Sequence, residues 1–125
     1  MTKFGEAESA LHQVDTSITQ IQQFLATNKD SVSSNDSSVA SIYTQYQDIR
    51  NLMHTAIGPT VLAAEKKALV GLANPAQKVF GASMEARVMA AASKYKQLKE
   101  VLDEVGGKVE QYYGNYVRSK EVVGK

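Results

Sequence analysis

The chain has 125 residues, enough for one domain, with 43% apolar residues, no cysteine and a formal net charge of +1. The absence of thiols excludes disulfides, thiolate catalysis and thiolate metal sites. The balanced charge gives no global case for a nucleic-acid or membrane-surface binder, and no apolar run approaches the ~20 residues that a membrane-spanning helix needs.

Residues 1–25 carry Glu6, Glu8 and Asp15 and no continuous apolar stretch, so no cleavable signal peptide is expected. That leaves a soluble chain, either cytoplasmic or exported without a leader. Phe4, Ala7, Leu11, Val14, Ile18, Ile21 and Leu25 recur at three- and four-residue spacing, which predicts a helix over 3–27 with one apolar seam. Residues 30–38 (DSVSSNDSS) read as a loop, because short polar side chains compete for backbone hydrogen bonds, and Ser37 or Ser38 is suited to cap the next helix.

Val39, Ile42, Tyr46, Ile49, Met53 and Ala56 form a second seam and predict a helix over 38–57. Gly58-Pro59 reads as its stop, with glycine as a left-handed C-terminal residue and proline unable to continue the hydrogen bonding. Residues 60–73 (TVLAAEKKALVGLA) are mostly apolar and are expected to form a short corner helix at the end of a bundle. Asn74-Pro75 carries the signature of a helix start, so the last helix is expected over 75–121.

The last helix has the longest seam: Met84, Val88, Ala91, Tyr95, Leu98, Leu102, Val105, Val109, Tyr112 and Tyr116. Two adjacent glycines at Gly106-Gly107 weaken the helix and admit a kink or hinge, but the seam stays in register across them, which argues for continuation. No strand pattern of period 2 persists. The fold class is therefore all-α: one antiparallel helical-bundle domain over 1–125 with coiled-coil-like packing, three longer helices and a corner helix. Leu11, Ile18, Ile49, Leu98 and Leu102 are expected in its core.

Charge supports this arrangement. Residues 1–58 hold three basic and six acidic side chains, and residues 59–125 hold eleven and seven. In heptad lettering Glu8 and Asp15 fall at e of the first helix, while Arg87, Lys94 and Lys108 fall at g of the last. Parallel neighbours bring g against e, so first and last helices in an up-down-up bundle should pair there.

Ten seam positions on the last helix face seven and six on the others. On that arithmetic the far end of the long seam overhangs. Val109, Tyr112, Tyr113 and Tyr116 are accordingly the expected interface with another chain, since tyrosine rings bury well and their hydroxyls tolerate water.

Signs of chemistry are sparse. There is no Glu-x-x-His pair for a di-iron bundle, no phosphate-binding glycine loop and no zinc-protease motif. His12 and His54 lack carboxylates at metal spacing, and the serines at 31–38 have turn composition. The basic residues of the last helix interleave with Glu85, Glu100, Asp103, Glu104 and Glu110, without the aromatic platform that base stacking requires. No catalysis, cofactor or metal is expected.

The expected function is a non-catalytic helical subunit that associates with itself, as a homo-oligomer, or with another helical protein. Two resemblances give alternatives. The run Val109, Tyr112, Tyr116 and Glu121 is broadly similar to the C-terminal helices of leaderless helical-hairpin substrates of type VII secretion, which implies export; the chain has no Trp-x-Gly turn and no Tyr-x-x-x-Asp/Glu. The run His54-Thr55-Ala56-Ile57-Gly58 resembles the H-x-x-K-G core of histidine phosphotransfer domains, which implies a regulator using His54, with Ile57 standing at the lysine position.

Overall fold

A computed structural model describes residues 3–27 and 38–123, with side chains to Arg118. The loop expected at 30–38 lies, up to residue 37, outside the described residues. The elements are α1 (Lys3–Thr27), α2 (Ser38–Leu52), a π-helical turn (Met53–Ile57), α3 (Gly58–Ala73), a 3-10 turn (Pro75–Gln77) and α4 (Ala82–Val123). Three long helical stretches pack against one another as an all-α bundle.

The first and last seams became the core; of the second, Val39, Tyr46, Ile49 and Met53 are buried, Ile42 is half-buried, and Ala56 is exposed, with Ile57 buried in its place at the π turn. All seven α1 seam residues are buried, and so are Val88, Ala91, Tyr95, Leu98, Leu102, Val105, Val109 and Tyr116 of α4. Met84 and Tyr112 pack against that core half-buried. The expected core residues Leu11, Ile18, Ile49, Leu98 and Leu102 are all within it.

Arg87 pairs with Glu8, and Lys94 lies 3.0 Å from Asp15. Both pairs span the same sequence interval, so α1 and α4 run parallel in one register, as the heptad letters require. Lys94 and Asp15 are well exposed, and pairs of that kind contribute under about 1 kcal/mol; they fix orientation more than stability.

Gly58-Pro59 does not stop the second helix. Gly58 has φ −55° and ψ −55°, ordinary right-handed helix, and its N–H donates to the Met53 carbonyl five residues back. The chain widens by one π turn over Met53–Ile57 and continues as α3, with Pro59 in the first turn of that segment. The physical reason is local. Proline lacks an N–H and its ring collides with the carbonyl four residues earlier, and a π turn shifts hydrogen bonding by one residue at that point. The segment at 60–73 is thus the second half of the middle helix and not a corner.

The reading of Asn74-Pro75 needs a second correction. The Asn74 side chain does cap, accepting from the Ala76 N–H at 3.2 Å, but what it caps is the 3-10 turn. Lys78-Val79-Phe80-Gly81 interposes two weak helix formers and a glycine, and α4 begins at Ala82.

Gly106-Gly107 is no hinge: α4 is continuous through both. Gly106 is buried, and the Tyr46 hydroxyl lies inside the space a Cβ would take there, whereas Gly107 faces open solvent. Tyr95 of α4 covers Gly58 of the middle helix in the reciprocal sense, its hydroxyl 2.6 Å from where a Cβ would stand. These two tyrosine-on-glycine contacts bring the antiparallel helices close at two points.

Burial pushes the Tyr46 hydroxyl above the ordinary tyrosine range; Arg50 opposes the rise, and Glu110, Asp103 and Tyr43 add to it. The fold thus favours the neutral phenol. Its contribution is intact below the unfolded value of about 10 and is lost as pH rises through the higher folded value. Denaturant midpoints compared between pH 8 and pH 11 should fall more for wild type than for Tyr46→Phe. Equal falls would mean that Tyr46 ionises without opposing the fold.

Candidate interaction surface

The long middle helix removes the overhang. Its buried face continues past Met53 through Ile57, Val61, Ala64, Ala68 and Gly71, so the α4 seam is matched within the chain. Val109 is 1% exposed and Tyr116 7%, both against the chain's own helices. Tyr113 stacks flat on Tyr43 of α2, ring centroids 3.9 Å apart at 6°, and Tyr116 tilts against Tyr113 at 6.2 Å. Tyr112 is half-buried beside Leu25 and Val105. The chain thus supplies its own partners for much of this tyrosine surface, and only Tyr112 and Tyr113 keep part of theirs.

His54 is exposed on the π turn, while Ile57, at the lysine position of the phosphotransfer pattern, is buried in the core. Among the described residues no group of three or more His, Cys, Asp or Glu side chains is placed to hold a metal ion, and no helix is long and apolar enough to cross a membrane.

The surface that stands out is at the opposite end of the bundle. Among the described residues, the large apolar side chains that are exposed lie on α3 or just after it: Leu62, Leu69, Val70, Leu72 (56% exposed) and Val79 (65%). The sequence GPTVLAAEKKALVGLA explains this. Val61, Ala64, Ala68 and Gly71 form the buried stripe, and the remaining leucines and valines have nowhere to face but outward. Of its three charged residues, Glu65 turns back to α4 and accepts from Lys96 at 2.8 Å. Lys66 and Lys67 make no ion pair with any described residue.

Three hollows lie along one flank of the middle helix. Leu52, Ala56 and Pro59 face Ala7 and Ala10 of α1 in the first; Pro59, Ala63 and Lys67 face Phe4, Phe80 and Met84 in the second; Lys66, Lys67 and Val70 face Gln77 and Val79 in the third. Sequence reasoning overlooked this site because it treated residues 60–73 as an end-cap. The signal was present: two interleaved apolar stripes on one helix, Val61-Ala64-Ala68 and Leu62-Leu69-Leu72, where a surface helix of a bundle has one.

Comparison of the chain with protein-family models, curated proteins and solved structures gives no match.

Proposed function

We propose that this chain is a non-catalytic helical protein that assembles by receiving a partner helix, from a second copy or from another helical protein, on the outward side of α3. The observation that carries this reading is that α3 is apolar on both sides while its own bundle covers only one. A helix apolar all round is ordinarily buried, and clustered exposed apolar residues mark interaction sites. Hydrophobic contact at the centre with polar groups around it is the usual anatomy of an interface, and Lys66, Lys67 and Gln77 supply that rim.

The test combines light scattering with denaturation. The probe is an 18-residue amphipathic peptide with a Leu/Ala face and glutamine flanks. Wild type should rise above its 13.6 kDa monomer mass, alone or with the peptide, and Leu69→Gln/Val70→Gln/Val79→Gln should not. Unfolding midpoints of the two should lie close together, since none of these side chains belongs to the buried core. A wild type that stays at monomer mass with peptide in excess contradicts the proposal, as does a variant that assembles equally well.

A further inference from the structure

We infer that the π turn at Met53–Ile57 is a one-residue phase adapter: it turns α3 by one position relative to α2, and so decides which side of α3 packs inward and which is left to solvent. This holds whether or not α3 receives a partner. The α2 seam runs Val39, Ile42, Tyr46, Ile49 and Met53, at alternating spacings of three and four. Carried on unbroken, that spacing points Ala56, Thr60, Ala63, Lys67 and Val70 inward, and none of these is buried. The buried positions are Ile57, Val61, Ala64, Ala68 and Gly71, each one residue late. One residue is about 100° of helix rotation, and a π turn absorbs one extra residue without ending the helix. His54, Thr55 and Ala56 hold the slack, as consecutive exposed residues between buried Met53 and buried Ile57.

Pro59 explains where the adapter sits, but it does not explain the shift. A kink at the proline would relieve its missing hydrogen bond and its collision without moving every later buried position by one residue. The side chains of α3 account for the shift. The unshifted phase would carry Thr60 and Lys67 into the core, and an unpaired buried ammonium is costly. The shifted phase brings Val61, Ala64, Ala68 and Gly71 there instead. These are small enough for close approach: Tyr95 of α4 lies on Gly58, and the Lys78 Cα lies 3.0 Å from where a Cβ on Gly71 would stand. The same rotation leaves Lys67 and Val70 on the hollowed flank and Leu62, Leu69 and Leu72 outside.

The experiment is a single-residue deletion in the full chain, made in a Pro59→Ala parent so that the proline does not itself penalise a regular α-helix. Deleting Thr55 removes the slack and shortens the step from Met53 to Ile57, so that the buried positions from Val39 to Gly71 follow one unbroken heptad pattern. Deleting Thr44 is the matched control. Like Thr55 it is exposed, and its hydroxyl donates to the carbonyl four residues back. Its loss, however, throws Val39 and Ile42 out of phase with Tyr46 and all that follows. Urea denaturation followed by circular dichroism compares both deletions with the parent. The Thr55 deletion should keep its midpoint within about 0.5 M of the parent, and the Thr44 deletion should lose more than about 1 M or fail to fold. A Thr55 deletion that loses as much as the Thr44 deletion overturns the inference, because the extra residue then has no part in setting the phase. Two deletions that both keep the parent midpoint also overturn it, because the core would then accept either phase.

Discussion

Gly106→Ala should destabilise the bundle by about 1–3 kcal/mol, and Gly107→Ala should stabilise it by about 1 kcal/mol. Both positions lie in the same continuous helix, and both would gain helix propensity from alanine. They differ in what the new methyl meets. At Gly106 it enters the space held by the Tyr46 hydroxyl and ring, on a neighbouring helix and in the core; at Gly107 there is nothing within 4 Å. Overpacking outweighs propensity at the first site, and propensity acts alone at the second. Urea denaturation of the two variants gives the comparison. Two stabilised variants would mean that Tyr46 does not lie on Gly106, and the close approach of α2 and α4 would have to be abandoned.

Leu98→Ala should cost about 2–5 kcal/mol. Leu98 sits midway along the α4 seam, 4% exposed, in the cluster that joins all three helical stretches. The lost transfer energy of the side chain adds to a cavity that three packed helices collapse only in part. For a small domain that is a large share of total stability, so the variant should unfold at markedly lower urea. A change below about 0.5 kcal/mol would mean that the seam faces solvent and that the helical register is misassigned.

Periodicity carried most of the fold. The α1 and α4 seams, the bounds of α1 and the pairing of Glu8 and Asp15 with Arg87 and Lys94 are all legible from spacing, because burial on one helical face imposes a rule that every turn repeats. What failed was punctuation. Gly58-Pro59 is a strong local stop of about 3 kcal/mol that tertiary packing overrides, and Asn74-Pro75 is a strong local start that does cap, but a 3-10 turn cut short by residues 78–81. The buried stripe through Ile57, Val61, Ala64 and Ala68 supplies that packing on the far side of the proline, and one π turn resolves the conflict between them.

The site was less legible than the fold. Val109 and Tyr116 looked like an overhang because spacing does not give the register between antiparallel helices: α2 lies against that end of α4, with Tyr43 on Tyr113 and Tyr46 on Gly106, while α3 lies against the other end, with Gly58 under Tyr95. The outward side of α3 became visible once its inward side was assigned. Leu69 and Ala68 are adjacent, equally apolar in sequence, and opposite in the bundle.

The docking face exists as described only if the middle helix runs on through Gly58-Pro59. The chain has no cysteine, so a Ser41→Cys/Ala73→Cys variant accepts two spin labels and nothing else, both at exposed positions. Pulsed dipolar spectroscopy should give a single distance of about 48 Å, the length of that many residues of continuous helix. A distance below about 35 Å would show a corner at the proline, return residues 60–73 to an end-cap, and leave the α3 face without its outward exposure.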